Sequence, residues 1–173
     1  TLFRSAGPLF RPGPEAGSAW DRFRTCAEAA PEALTCMLKL GAAPPAPFLP
    51  EAMHGAPSAA TVVCHTDDEC AADRDVAPLR EGGPPAADLI ERRPFFELQS
   101  MFDSGEPRGR RDYWKSEYVG ALDDHLRGIL LDALEHLPSP AAYIKVFQLG
   151  GAVRRVSADA TSAGHRDAQY IVA

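Results

Sequence analysis

Apolar positions change period several times along the 173-residue chain, and each change marks an element. Leu2 to Phe10 reads as a strand broken at Gly7-Pro8, and Pro12-Gly13-Pro14 stops it. Between Gly17 and Ala30, Trp20, Phe23 and Ala27 recur at helical spacing, and the ring of Pro31 ends that segment because it cannot continue the hydrogen-bond ladder. Leu34, Cys36, Leu38 and Leu40 alternate, which predicts a strand with one apolar face. Proline and alanine then dominate from Gly41 to Pro57, an ordered loop, before a short buried strand from Ala60 to His65. Asp67-Asp68 opens a helix that runs to about Leu79, its acidic first turn matching the macrodipole.

Gly82-Gly83-Pro84-Pro85 is a turn and Asp88-Leu89-Ile90 an edge strand. Pro94 suits the first position of a short helix from Phe95 to Phe102. Tyr113 to Val119 alternates and reads as a strand. Leu122, Leu126, Ile129, Leu130, Leu134 and Leu137 form the clearest amphipathic stripe, read as core, with His125 and His136 on its solvated side. After Pro138-Ser139-Pro140 come a strand from Ala142 to Leu149, a bend at Gly150-Gly151, its continuation from Ala152 to Val156, and a last strand from Asp167 to Ala173. Paired strand–strand steps and unequal helices predict an α+β fold: one domain over 1–173, mostly an antiparallel sheet, with helices covering one face. No internal repeat interrupts this order.

Charge and composition narrow the possibilities. A net charge of −6 argues against a nucleic-acid-binding module. The short basic cluster Arg108, Arg110 and Arg111 is diluted by Glu106 and Asp112 and reads as a solvated loop. No stretch reaches the roughly 18 apolar residues that span a bilayer, so the expectation is a soluble protein. Sixteen prolines and sparse lysine suggest a GC-rich bacterial source, and hence a bacterial cytoplasm. Cys26, Cys36, Cys64 and Cys70 fit no zinc spacing and read as free thiols; no metal is expected.

Closely set words fill the last eighty residues: Arg93-Pro94-Phe95-Phe96-Glu97-Leu98-Gln99-Ser100-Met101-Phe102-Asp103, Tyr113-Trp114-Lys115-Ser116-Glu117-Tyr118, Gln148-Leu149-Gly150-Gly151-Ala152-Val153 and His165-Arg166-Asp167-Ala168-Gln169-Tyr170. In order and spacing the chain resembles the substrate domain of FAD-linked oxidases of the berberine-bridge-enzyme type. Upstream, Ala43-Pro44-Pro45-Ala46-Pro47-Phe48-Leu49-Pro50 and Pro84-Pro85-Ala86-Ala87-Asp88-Leu89-Ile90 support the likeness. The resemblance implies FAD in the complete enzyme, held by a separate N-terminal domain whose attachment motifs do not occur here. The chain alone is therefore expected to bind no FAD tightly and not to turn over. It reads as a fragment cut at both ends, oxidising an alcohol, sugar or secondary metabolite only when joined to an FAD-binding domain. A stand-alone ligand-binding or interaction domain, and one half of a split oxidase, remain open beside this reading.

Five residues are candidates for substrate binding. The family places a polar group near Phe147-Gln148; here Gln148 could orient a substrate but cannot act as a base, so the catalytic residue stays unassigned. Trp114 and Lys115 belong to an aromatic–polar word suited to a pocket, with Lys115 and Glu117 also able to pair. Arg166 either anchors the loop before the last strand, against a carboxylate, or makes a substrate or interdomain contact. Tyr170 either lines the pocket or packs as core. The sheet face that would meet the flavin domain should be partly bare and apolar, which predicts a homodimer or another covering contact.

Overall fold

The computed structural model describes residues 3–105, 109 and 111–173. The cluster of Arg108 and Arg110, and Glu106, lie outside the described residues. The strands are β1 (Phe3–Pro12), β2 (Leu34–Ala42), β3 (Pro57–His65), β4 (Ala87–Asp88), β5 (Glu91–Pro94), β6 (Glu117–Val119), β7 (Tyr143–Gln148) and β8 (Tyr170–Val172). The helices are α1 (Ala16–Ala29), α2 (Glu69–Arg80), α3 (Phe95–Ser100), α4 (Asp124–Glu135) and α5 (Gly151–Arg155). All eight strands join one sheet in the order β4-β1-β3-β2-β7-β8-β6, with β5 also on β1, and every pairing is antiparallel. The α+β architecture read from the sequence is thus the one observed. Among the described residues no helix is long and apolar enough to cross a membrane.

Alternation splits the sheet into two unlike faces. Leu9, Leu34, Cys36, Leu38, Leu40 and Val63 turn to one side, where they pack with Trp20 and Phe23 of α1, Val76 and Leu79 of α2, and Leu130 and Leu134 of α4. Burial of such side chains stabilises by about 1.5–3 kcal/mol each, so this layer carries the fold. Asp68 caps α2 by accepting from the Ala71 N–H, and Asp123 caps α4 by accepting from the Leu126 N–H. On the opposite face Phe10 and Ala60 pack with Ala43, Leu49 and Ala87, so the proline-rich loop folds over one corner. The rest of that face has no helix in the core cluster against it.

Several expectations are corrected. β1 runs unbroken through Gly7-Pro8. Gly7 takes φ +150°, and a Cβ there would lie 2.0 Å from the Leu89 carbonyl oxygen. The missing N–H of Pro8 falls opposite the break between β4 and β5, where its carbonyl accepts from Leu89. Leu89 and Ile90 accordingly lie outside the edge strands. Pro94 ends β5 and caps α3 rather than opening it, and α3 stops at Ser100. Ile129 is half exposed and not core. The segment expected to continue β7 as a strand is instead α5, because Gly151 at φ +49° turns the chain away. Tyr113 to Ser116 form no strand: β6 is only as long as its three-residue partner β8.

Candidate functional site

The sheet face opposite α1, α2 and α4 carries an apolar row beside a group of lysines and aromatic rings. Cross-strand register aligns Pro8, Val62, Met37, Phe147, Ile171 and Tyr118 into one apolar row spanning six strands. Met37, Phe147 and Ile171 are half-buried and Tyr118 is 43% exposed, with His165 stacked on it at 4.5 Å. One pleat further along, Lys39 of β2 faces Lys145 of β7 directly, and Gly41 faces Tyr143. Gly41 is needed for space, since a Cβ there would lie 2.9 Å from the Tyr143 Cβ. Tyr143 lies close across Gly41, with Lys39 Nζ 4.7 Å and Lys145 Nζ 4.5 Å from its ring centroid. Trp114 meets Tyr143 edge-on at 5.4 Å and receives Lys145 Nζ at the same distance. These are cation–π distances.

Two hollows flank Tyr143. One of about 410 Å3 is lined by Lys39, Ala43, Pro44, His54, Ala142 and Tyr143. The other, a wider trough of about 1040 Å3, is lined by Trp114, Lys115, Glu117, Leu130, Tyr143 and Ala173. His54 is held by its Nε2 against the carbonyls of Ala46 and Leu49 at 3.1 and 3.2 Å.

The five sequence candidates separate. Trp114 and Lys115 line the trough, but the Lys115–Glu117 pair does not form among the described ion pairs; the ammonium lies 6.0 Å from the Tyr113 ring instead. Gln148 turns to the helical side: its Oε1 accepts from the Cys36 N–H at 2.9 Å and its Nε2 donates to the Ala27 carbonyl at 3.1 Å. Tyr170, 2% exposed, packs in the main core opposite Gln148, and burial raises its phenol above the usual range. Arg166 donates to the Thr161 hydroxyl at 2.7 Å and to the Val153 carbonyl at 3.4 Å, so the anchor it makes uses neutral acceptors rather than a carboxylate. Three of the five are therefore away from the cluster. Lys39, Lys145 and Tyr143 were the residues not singled out. Their signal was available as polar members of strands whose other face is apolar.

Other reactive groups lie outside that cluster. Cys26 and Cys36 touch at 3.8 Å between α1 and β2; their shared hydrogen bond and burial hold Cys36 well above the ordinary thiol range, and the same hydrogen bond lowers Cys26. Cys64 and His65 point to opposite faces of β3. Buried His65 places its Nε2 3.0 Å from Asp75 and accepts from the Asp67 N–H on Nδ1.

A dinucleotide pyrophosphate is ordinarily held by free N–H groups where a glycine-rich turn opens a helix. Here α2 and α4 open on Asp68-Glu69 and Asp123-Asp124, whose carboxylates take up N–H groups and repel an anion. α1 follows the turn Gly13-Pro14-Glu15, which is packed against Pro57. None of these three helix starts offers the free N–H cradle that a pyrophosphate needs.

Comparison with known proteins bears out the likeness to FAD-linked oxidases. An FAD-linked oxidoreductase of Dictyostelium discoideum is 32% identical over 90 residues, 51% of this chain and 20% of that protein. Among solved structures, 6-hydroxy-D-nicotine oxidase of Arthrobacter nicotinovorans superposes with a TM-score of 0.66 at 18% identity, covering 99% of this chain and 37% of the oxidase. A berberine-bridge-enzyme-like protein of Physcomitrella patens superposes with a TM-score of 0.73 at 12% identity, over 99% of this chain and 38% of its own. At such identities the structural matches establish the fold. The chain spans little more than a third of these structures. No protein-family model matches it.

Proposed function

We infer that this chain is the substrate-binding part of an FAD-dependent oxidoreductase, and that its helix-free sheet face forms one wall of the reaction site. The observation that carries this is the unlike pair of faces. One is sealed by α1, α2 and α4, while the other presents an apolar row beside the Lys39, Lys145, Tyr143 and Trp114 cluster. An FAD-binding domain would cover the row and bring the flavin to the cluster. That domain would also supply the pyrophosphate cradle that the acidic helix starts here do not offer.

FAD, when bound, supplies the redox step by accepting a hydride from a substrate carbon. This chain's residues would bind and orient the substrate. Trp114 and Tyr143 offer ring surface, and Lys39 and Lys145 offer positive charge beside it.

The test has two arms. The purified chain is mixed with FAD, freed of excess, and examined by visible spectroscopy; the expected protein is colourless. The chain is then fused behind an FAD-binding domain of the berberine-bridge type, which should retain flavin. Lys145→Met should shift that flavin spectrum. A fused flavin indifferent to substitutions at Lys39, Tyr143 and Lys145 would remove the open face from the site.

A further inference from the structure

Only Ala30 to Ala33 separate α1 from β2, so the last turns of the helix fold back over the first residues of the strand. The Leu34 N–H closes this reversal on the Pro31 carbonyl at 3.0 Å. Two of the four cysteines meet there. Cys26, 3% exposed on α1, and Cys36, 1% exposed on β2, place their Sγ atoms 3.8 Å apart. The Cys26 Sγ also lies 3.8 Å from the Asp75 carbonyl oxygen of α2. A carbonyl oxygen only accepts, so the Cys26 S–H points to Asp75 and the Cys36 S–H donates to the Cys26 Sγ. Gln148 of β7 holds the same two segments beside the pair. Its Oε1 accepts from the Cys36 N–H, and its Nε2 donates to the carbonyl of Ala27, the residue after Cys26. A third element therefore pins the two cysteines side by side.

We propose that Cys26 and Cys36 are a redox-modifiable pair that closes a reversible disulfide and locks α1 to β2. Both thiols lie on the helical side of the sheet, so this lock is independent of what covers the open face. Closing from 3.8 Å to a bond of about 2.05 Å needs an approach of roughly 2 Å, which side-chain rotation and a small adjustment of α1 can supply. The oxidant is a low-molecular-weight disulfide. The hydrogen bond from Cys36 makes Cys26 the more acidic thiol, so Cys26 is the first nucleophile. Its thiolate attacks one sulfur of the oxidant, forms a mixed disulfide and expels one thiolate. Cys36 then gives up its proton and attacks the Cys26 Sγ, which expels the second. The protein loses two protons and two electrons, and the oxidant takes them up as two thiols. Because both cysteines are buried, the first attack goes through a local opening at the end of α1. The closed bond would fix the helix carrying Trp20 and Phe23 of the core to the strand that bears Met37 on its other face.

The full 173-residue chain is equilibrated in buffers of reduced and oxidised glutathione, quenched with acid, alkylated and cleaved with trypsin. Trypsin cuts after Arg24 and Lys39, so both cysteines fall in one peptide, Thr25 to Lys39. Closure appears as that peptide two hydrogens lighter and free of alkyl groups, and dithiothreitol returns both alkylation sites. The native chain should favour closure at least about tenfold more than the same chain in urea, because the fold already holds the thiols together. The closed form should melt about 5 °C higher than the open one. Cys36→Ala should abolish closure and leave Cys26 as a mixed disulfide with glutathione, while Cys64→Ala and Cys70→Ala should leave closure unchanged. Far-UV circular dichroism of each variant separates lost closure from lost fold, and where Cys36→Ala does not fold the native-against-urea ratio decides alone. A native chain that closes the bond no more readily than the unfolded one would overturn the proposal. So would a closed form that melts lower than the open one, or a disulfide that forms with Cys64 or Cys70 instead. Failure of the flavin fusion bears on the open face and leaves this pair untouched.

Discussion

Gln148 joins three elements, β7, β2 and α1, with one side-chain amide. Its Oε1 accepts a hydrogen bond from the Cys36 N–H of the neighbouring strand, and its Nε2 donates one to the Ala27 carbonyl near the end of α1. Gln148→Leu keeps the volume and removes both bonds, so it should cost about 1–3 kcal/mol in urea unfolding while leaving open-face binding unchanged. Equal loss of stability and ligand binding would return Gln148 to the site. Asp75 makes a second residue-scale prediction. Hydrogen bonds from Arg74 and, next, from His65 hold its carboxyl below the ordinary carboxylate range. A lowered carboxyl contributes stability that is present above its unfolded pKa, about 3.9, and lost as pH falls through the folded value. The stability difference between the native chain and Asp75→Asn should therefore shrink as the pH drops below about 4, measured by denaturant midpoints across pH. Sequence alternation put Lys145, Tyr143 and Phe147 together on one side of β7. What it could not show was the partner strand: Lys39 joins the cluster only because register sets it against Lys145. Gln148 and Tyr170 could not be assigned from sequence either, since only the direction of the helical layer tells which side of a strand is core.

At the scale of elements, long periodic segments were legible and short ones were not. α1, α2, α4, β2 and β3 follow their apolar periods because each buries a continuous face in the main core. β6 and α5 do not, because pairing length and one glycine dihedral decide them. Tyr113 to Ser116 have strand-like alternation without a partner to pair with. β1 errs in the other direction. Gly7-Pro8 looks like a breaker, yet the strand continues because the β4–β5 loop bends tightly over Gly7. Gly7→Ala should destabilise by more than about 2 kcal/mol in thermal or denaturant unfolding, since its Cβ would collide with the Leu89 carbonyl. A near-neutral effect would mean that the Leu89 loop yields easily.

For the whole molecule, the open face sets the behaviour of the isolated chain. A row of Met37, Phe147, Ile171 and Tyr118 in register is the kind of surface that finds a cover. The expected outcome is self-association of the chain on its own, seen by sedimentation velocity. Phe147→Glu, at the middle of the row, should shift the population to monomer without changing the far-UV spectrum. A native chain that stays monomeric at high concentration would argue that the row needs no cover.

The strand order also divides the sheet into two parts, each contiguous in sequence. β1 to β5, with α1 and α2, are contiguous in sequence and knit by the long ladders of β3 with β1 and β2. β6 to β8 and α4 form a second leaf, joined to the first by the five-residue β2–β7 ladder, the Gln148 bonds to Cys36 and Ala27, the Arg24–Asp124 and Arg127–Asp21 contacts between α1 and α4, and a shared apolar core. Such a seam invites sub-global opening, in which one leaf detaches while the other stays formed. Native-state hydrogen exchange should find amides of β7 and β8 exchanging at lower free energy than those of β2 and β3. Because Lys39 and Lys145 lie on opposite sides of that seam, the cluster they form with Tyr143 would exist only while the leaves are closed, and whatever covers that face would raise the protection of both leaves together.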